Sequence, residues 1–333
     1  MVSLAGRVLL SLFIVCAISA GVATFAWAQT PTPSPPTIKQ QPQGPDEKIT
    51  IETDLVPLRV TVTDREGRAI RELKKEDFKV YENSVEQAIN YFSSEAAPTS
   101  WGLVLDRSGS MAEMIGDVYR AALHIIDEGT EQDEMFIVTF SDQSEIVQDF
   151  TSDRHSLENS ILGLRAEGGT ALYDAVAFAL DHIQQGKHKK KVLMVLTDGE
   201  DNSSHIKFRK LIERAEEEGV LIYTVGMFEE MSGMRFKMGR SGSQSELEKL
   251  AEVTGARAHF PTDIEGCRQS MREIAREVSE QYTLGYYPSN KTHDSKWRAI
   301  RVVVRQEGNK KYVARTRSGY YAPKEADTKE KKF

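Results

Sequence analysis

The chain has 333 residues, a length that suggests about two domains rather than one small core. Its composition, with 40% hydrophobic and 28% charged residues, is that of an ordinary globular protein. The formal net charge of −7 argues against a nucleic-acid-binding protein, which normally carries a strongly basic surface. We interpret the basic run from His188 to Lys191 as a solvated turn ahead of a strand.

The N-terminal residues differ in character from the rest of the chain. Arg7 precedes an apolar run from Val8 to Ala20, and Ala26-Trp27-Ala28 forms a small-x-small cleavage pattern. Residues 1–28 are therefore predicted to be a secretory signal peptide, and the protein is expected to be periplasmic or secreted after cleavage near Ala28. An uncleaved membrane anchor is the alternative, because the apolar run is rather long.

A proline-rich stretch follows this segment. Its composition cannot bury a core, so residues 29–48 are predicted to form an extended, mobile linker. Removal of the signal peptide would leave Cys267 as the only cysteine, and the exported protein would then have no internal disulfide. We expect Cys267 to pack on a helix face as a small apolar residue.

Alternating apolar and polar residues mark strands near both ends of the folded part. The clearest apolar positions are Val56, Leu58, Val60 and Val62 in the first stretch and Ile300, Val302 and Val304 in the second. Each stretch alone is small and would have open edges. We therefore predict that an N-terminal β module (residues 49–97) packs with a C-terminal β segment (residues 283–322) as a small β-sandwich. Residues 323–333 are expected to form a flexible tail.

Residues 98–282 show a different pattern. Continuous apolar runs, typical of strands that are covered on both faces, alternate with segments of helical periodicity. This alternation predicts an α/β domain with a doubly wound, mostly parallel sheet, inserted between the two β segments. The apolar runs are Leu103–Leu105, Phe136–Val138, Val192–Leu196 and Val220–Tyr223, and the helical segments are Ile115–Ile126, Leu172–Ile183 and Ile264–Tyr282.

Methionines recur at helical spacing in the long connection between Val225 and Glu246. They are Met227, Met231, Met234 and Met238. We interpret them as an apolar helical stripe that packs on the domain, with a copper site as the alternative.

Oxygen-bearing side chains lie where the predicted strands end. Asp106 ends the first apolar strand, and Ser108 and Ser110 follow it closely. Thr170 precedes a predicted helix, and Asp198 follows a later strand. Ligands of open α/β sheets bind outside the carboxyl ends of the strands, so these oxygens can converge. Hard oxygen donors with few carboxylates suit Mg²⁺ or Mn²⁺ better than zinc.

These residues resemble the metal-ion-dependent adhesion site of von Willebrand factor type A (VWA) domains. The family pattern is Asp-x-Ser-x-Ser, a distant Thr, and an Asp after a later apolar strand, and every position is matched here in order. Further segments are similar to a bacterial exported "VWFA-related" family of the acidobacterial type, over about residues 50–322. Those segments are Leu73–Asn83, Tyr282–Pro288 and Arg317–Tyr321.

The resemblance implies a way of binding. Ser108, Ser110 and one carboxylate would hold one divalent ion directly, either Mg²⁺ or else Mn²⁺ or Ca²⁺. Thr170 and Asp198 would bind that ion directly or through water. One coordination position would stay open for an Asp or Glu carboxylate of a protein partner, and the surrounding loops would supply specificity. The residues expected to rim this site are Arg107, Asp142, Glu167, Glu200 and Asp201.

No common enzyme motif accompanies these residues. The sequence has no Gly-x-Ser-x-Gly nucleophile motif, no Gly-x-x-x-x-Gly-Lys phosphate loop and no His-Glu-x-x-His zinc motif. A metal-assisted hydrolase would need a base beside the ion, for which Glu200 is the candidate. We expect metal-dependent protein binding or adhesion, without catalysis, a small-molecule substrate or nucleic acid. The alternative is a structural or assembly component of the cell envelope whose metal stabilises the fold.

Overall fold

The computed structural model of the protein describes residues 55–227, 242–306 and 311–324. The predicted signal peptide (1–28), the predicted linker (29–48), the methionine stripe beyond Met227 and most of the predicted tail lie outside the described residues. Within the described ranges, no helix combines the length and the apolar character that spanning a bilayer requires.

Strands and helices succeed one another as a β part, an α/β part and a second β part. The described strands are β1 (Val56–Thr63), β2 (Phe78–Glu82), β3 (Val85–Gln87), β4 (Ile89–Ser93), β5 (Thr99–Asp106), β6 (Glu134–Phe140), β7 (Ser144–Thr151), β8 (Lys190–Thr197), β9 (Leu221–Gly226), β10 (Ala258–His259), β11 (Tyr282–Tyr286), β12 (Trp297–Val304), β13 (Val313–Arg315) and β14 (Gly319–Tyr321). The described α-helices are α1 (Ile115–Glu128), α2 (Arg154–Ile161), α3 (Leu172–Ile183), α4 (Phe208–Glu218), α5 (Gly242–Thr254) and α6 (Ile264–Ser279).

A six-stranded sheet in the order β10-β9-β8-β5-β6-β7 forms the centre of the α/β part. All neighbouring strands run parallel except β7, which is antiparallel to β6. Because successive residues of a strand point to opposite faces, each central strand supplies two cores. In β5, Leu105 packs in one core with α1 and α6, whereas Val104 packs in the other with α3. The predicted fold class, a doubly wound and mostly parallel α/β sheet, is therefore confirmed.

Two four-stranded antiparallel sheets flank this domain, with the orders β13-β1-β11-β4 and β14-β12-β2-β3. Each sheet combines strands from both sides of the α/β part, since β1 pairs with β11 and β2 pairs with β12. Apolar residues of both sheets, including Leu58, Leu284 and Val302, share one buried core. Neither segment could bury this core alone, so the segments before and after the α/β part form one β-sandwich.

A buried carboxylate joins the sandwich to the α/β part. Glu277 of α6 has 2% of its surface exposed. Its oxygens lie 2.9 Å from a guanidinium nitrogen of Arg257 and 2.8 Å from one of Arg315 in β13, and the Tyr223 hydroxyl of β9 donates to it at 3.3 Å. Removing one member of such a buried set leaves the others uncompensated, so the contact strongly favours one arrangement of the two parts.

The prediction that Tyr282 lies on a helix face is wrong. Helix α6 ends at Ser279, and Tyr282 opens β11 opposite Val60. Its hydroxyl donates to the carbonyl of Ile70 at 2.7 Å, and its ring centroid lies 5.0 Å from that of Phe78. These contacts with sandwich residues distant in sequence place Tyr282 in a strand. Helical periodicity in the sequence could not reveal them.

The interpretation of His188 to Lys191 as a solvated turn is wrong for Lys190. This residue begins β8, is 3% exposed, and donates from its ammonium to the carbonyl of Val278. The pKa of Lys190 is lowered to about 7, chiefly by burial and also by the positive charge of Arg59, while Asp133 acts in the opposite direction. The pairing of β8 with β5 carries this lysine into the interior.

The buried Lys190 predicts a stability that changes with pH. Between its pKa of about 7 in the folded protein and 10.5, the ordinary value for lysine, the unfolded chain binds more protons than the folded chain. The free energy of unfolding should therefore rise with pH through this window, and this contribution should be absent in Lys190→Met. Urea unfolding of both proteins should be measured near neutral pH and about two pH units higher. The free energy of unfolding of the wild type should rise relative to that of Lys190→Met between the two pH values. An equal pH response of the two proteins would contradict the prediction.

Candidate metal centre

The strand order of the central sheet reverses beside β5. From β5 the chain continues to β6 on one side and later returns to β8 on the other. In open α/β sheets, the crevice outside the carboxyl ends of the strands at such a reversal is where ligands bind. Strand β5 ends at Asp106 and β8 ends at Thr197, so the candidate site begins in this crevice.

Asp106 is fully buried at the end of β5. Its Oδ1 accepts a hydrogen bond from the backbone N–H of Ser108 at 2.8 Å, and its Oδ2 accepts one from the Thr197 hydroxyl at 2.6 Å. The Thr197 oxygen in turn accepts from the N–H of Gly199 at 3.0 Å. Groups that follow two neighbouring strands therefore fix the orientation of this carboxylate.

The environment of Asp106 favours a nearby positive charge. The pKa of Asp106 is raised to about 6, chiefly because burial disfavours the ionised form. Hydrogen bonds from Ser108 and Thr197 counteract part of this rise, and the negative charge of Asp198 adds to it. A cation beside the carboxylate would reverse this imbalance.

A pair of hydroxyls leads from the buried carboxylate to the surface. The Oγ atoms of Ser108 and Ser110 lie 3.1 Å apart. Ser108 is buried, whereas Ser110 is exposed at the start of a short 3-10 turn, Gly109–Met111. The loop after β5 thus presents oxygen donors from the interior outward.

Thr170 is held in place by the loop that follows β8. Its N–H donates to Asn202 Oδ1 at 2.9 Å, and its carbonyl accepts from the N–H groups of Asn202 and Ser203 at 3.0 and 3.1 Å. The N–H of Gly109 donates to the carbonyl of Gly168 at 3.0 Å, which joins the loop after β5 to the loop before α3. Backbone contacts therefore hold together the three loops that carry the predicted ligands.

The close approach of these loops requires glycine before Thr170. Gly168 has φ +77°, in the region that favours glycine. A Cβ atom on Gly169 would lie 2.2 Å from Ser203 Oγ and 2.6 Å from Asp142 Oδ1. A side chain at either position would separate the loops.

Asp198 brings a second carboxylate to the crevice. It is 9% exposed, and its Oδ1 accepts from the N–H of Glu200 at 3.2 Å. Among the described residues, neither Asp106 nor Asp198 forms an ion pair with a basic side chain. The two acids therefore leave negative charge at this edge of the sheet that no described side chain neutralises.

The donor set fits a hard divalent cation. In the described part of the chain, no three His, Cys, Asp or Glu side chains cluster as potential metal ligands. A cation in the crevice would therefore rely on two carboxylates together with the hydroxyls of Ser108, Ser110 and Thr170. Carboxylate and hydroxyl oxygens in this proportion are suited to Mg²⁺ or Mn²⁺, with water completing the coordination shell.

The residues predicted to rim the site fall into two groups. Arg107 and Glu167 form an ion pair at 2.7 Å, and Glu200 is exposed, so these three side chains are accessible to a partner. The carboxylates of Asp142 and Asp201 instead accept backbone hydrogen bonds, from Gly169 at 2.9 Å and from Tyr173 at 3.2 Å. Asp142 and Asp201 therefore shape the loops.

Sequence reasoning missed Thr197 and Asn202. Thr197 ends β8 and directly precedes Asp198, so its place on the strand was a usable signal. Asn202 gave no such signal, because its contact with Thr170 joins residues far apart along the chain.

The hydrogen bond from Thr197 predicts a measurable loss of stability. Thr197→Val keeps the shape of the side chain but removes both the donor to the buried Asp106 carboxylate and the acceptor of the Gly199 N–H. Together these losses should lower the free energy of unfolding by about 1–3 kcal/mol in chelator at neutral pH. Thr139→Val in β6 is the matched control, since Thr139 is also buried and makes no side-chain hydrogen bond in the described part of the chain. Equal losses in the two variants, measured by urea unfolding, would show that the Asp106 bond has no special role.

Comparison with known sequences and structures shows several similar proteins. An uncharacterised protein of Synechocystis sp. is 31% identical over 134 residues, which are 39% of this chain and 32% of that protein. This chain therefore spans about a third of that relative's length. The von Willebrand factor type A structure from Catenulispora acidiphila matches with a TM-score of 0.48 and 14% identity, over 80% of this chain and 74% of that one. The vWF domain of the type V pili tip protein Mfa5 from Porphyromonas gingivalis matches with a TM-score of 0.44 and 12% identity, over 55% of this chain and 95% of that one.

The family model of the von Willebrand factor type A domain matches residues 102–273. That range begins inside β5 and ends inside α6, so it contains the whole crevice with Asp106, Ser108, Ser110, Thr170 and Asp198. It covers more than half of the 333-residue chain. The protein therefore belongs to the von Willebrand factor type A domain family.

Proposed function

We propose that this protein binds a protein partner through a divalent cation held in the crevice, with a carboxylate of the partner completing the coordination shell. VWA domains generally mediate protein–protein interactions. The observation that carries the proposal is the pair of carboxylates, Asp106 and Asp198, with no basic partner among the described residues, beside hydroxyls that lead to the surface. The cation is Mg²⁺ or else Mn²⁺ or Ca²⁺.

The side chains of the crevice have different roles in binding a cation. Asp106, oriented by Ser108 and Thr197, supplies charge from the buried side. Ser108 and Ser110 would supply neutral oxygens, and Thr170 and Asp198 would hold the cation directly or through water. These five side chains would leave room in a shell of six for a partner carboxylate, toward which the cation would supply Lewis acidity.

The rim supplies specificity. Arg107 is positioned by its ion pair with Glu167, so a partner that contacts this edge meets both a cationic and an anionic group. Glu200 lies on the exposed side of the loop after β8. Such a mixed rim selects among partners that could all offer a carboxylate, because a mismatched charge disfavours the wrong partner.

The proposal includes no catalysis. A metal-assisted hydrolase would need a base poised beside the cation. Glu200, the candidate base, is exposed, and its backbone N–H rather than its carboxylate is bonded to Asp198. We also propose that the chain is exported, on the basis of its N-terminal residues Arg7, Val8–Ala20 and Ala26-Trp27-Ala28.

Loss of Asp106 should weaken cation binding strongly. Isothermal titration calorimetry of the full chain with Mg²⁺ and with Mn²⁺ should show binding that weakens at least about tenfold in Asp106→Ala. Asp181→Ala is the matched control, since Asp181 is an exposed carboxylate of α3 paired with Arg214. Unchanged metal affinity in Asp106→Ala would contradict the site assignment.

Partner capture separates adhesion from a structural role. Immobilised full-length protein should retain a protein from an envelope extract of the source cells in Mg²⁺ and release it in chelator, and Asp106→Ala should retain none. If capture persists in chelator while the melting temperature falls, the cation stabilises the fold of an envelope component instead. Circular dichroism in both buffers shows whether the fold is intact.

A further inference from the structure

A second groove lies at the opposite pole of the α/β sheet, where its parallel strands begin. A cavity of about 680 Å³ and an adjoining one of about 180 Å³ share Pro57, Arg59 and Lys189 on their walls. We call them together the junction groove, because it runs between the start of β8 and strands β1, β4 and β11 of the sandwich. Its defining residues are Pro57, Arg59, Tyr91, Lys189, Lys190 and Arg317.

The junction groove concentrates positive charge. Arg59, Lys189, Lys190 and Arg317 line it, and none of them forms an ion pair with a carboxylate in the described ranges; one exposed carboxylate, Glu95, lies on the same wall. Lys187, also on the wall, differs, since its ammonium lies 3.6 Å from Glu134. This concentration stands out in a chain with a net charge of −7.

Three of these cations donate their described hydrogen bonds to neutral groups, although the carboxylate of Asp133 also acts on Lys190 and raises its pKa. Arg59 donates to the Thr283 hydroxyl, Lys190 to the Val278 carbonyl, and Arg317 to the Pro57 carbonyl at 3.2 Å. The Nε of Arg317 is buried without a hydrogen-bond partner among the described residues. Burial lowers the pKa of each of these three groups. Arg59 and Arg317 are withdrawn from water without a described carboxylate beside them, which is costly, so an anion in the groove would be stabilised.

An apolar wall accompanies the charge. Tyr91 is 50% exposed on β4, the edge strand of its sheet, and Leu55 and Pro98 also line the larger cavity. A volume of about 680 Å³ is in the range of sites for molecules of many atoms, well beyond a single inorganic anion. The occupant that matches both features carries several carboxylates on a chain with apolar groups.

We propose that the junction groove binds an acidic peptide segment of a partner protein, with Arg59 and Lys189 receiving its carboxylates and Tyr91 covering its apolar portion. The site is independent of the metal centre, which lies at the carboxyl ends of the same strands. The protein would then hold two partners, or two parts of one partner, at opposite poles of one sheet.

Fluorescence anisotropy with a labelled hexaglutamate peptide tests the proposal on the full-length protein. Hexaglutamate should bind at low salt, and hexaglutamine should not. Affinity should fall at least about tenfold in the double variant Arg59→Gln/Lys189→Gln and about threefold in Tyr91→Ser. Lys291→Gln, which removes an exposed lysine outside the groove, should leave affinity unchanged. Thermal melts show whether each variant folds. If the double variant does not fold, Lys189→Gln alone replaces it, since Lys189 is exposed.

Chelator and Asp106→Ala should leave hexaglutamate binding unchanged, so failure of the metal proposal and failure of this one are distinguishable. Loss of peptide binding in either case would place the peptide at the metal centre and overturn the inference. Equal affinity in wild type and the double variant would overturn it as well. Binding of inorganic phosphate without binding of hexaglutamate would show a small-anion site and would also contradict it.

Discussion

A carboxylate withdrawn from water at the end of a central strand constrains the loops at the carboxyl edge of the α/β sheet. Asp106 is the last residue of a strand whose residues are all buried, so water cannot solvate its charge unless the crevice rearranges. Burying an ionised carboxylate is costly unless hydrogen bonds or a counter-charge offset it. Thr197 and the Ser108 N–H supply part of that offset. A second carboxylate nearby, Asp198, adds to the rise in the pKa of Asp106, so a cation at this point would stabilise both acids.

The β-sandwich gives this domain its second constraint. Strands from both ends of the described chain share one core, so the α/β part is held at both ends by the same body. The buried Glu277 contacts Arg315 of the sandwich and Arg257 of the α/β part, which opposes rotation of one part against the other. The junction between the two parts is also where cations without described carboxylate partners meet an exposed Tyr91. The sheet thus has carboxylates without basic partners at one end and cations without carboxylate partners at the other, among the described residues.

Much of the site could be predicted because its ligands are tied to strand ends. Continuous apolar runs locate β5 and β8, and the polar residues that directly follow such strands must lie at the carboxyl edge of the sheet. Asp106 and Asp198 were found by this reasoning. Thr197 was overlooked although its position at the end of β8 was a usable signal, whereas the contact of Asn202 with Thr170 joins residues distant in sequence and left no signal. The antiparallel β7 and the end of α6 before Tyr282 were missed for the same reason.

The sequence by itself determined the α/β class, the alternating strands of the flanking segments and the identity of the oxygen donors, because these follow from local periodicity and residue chemistry. Tertiary structure alone decided which strands pair, which loops touch and which charges are buried. Lys190 shows the difference: within a basic run it reads as a solvated residue, yet strand pairing removes it from water. Burial and charge neutralisation are properties of the folded assembly, since they depend on side chains that approach from other parts of the chain.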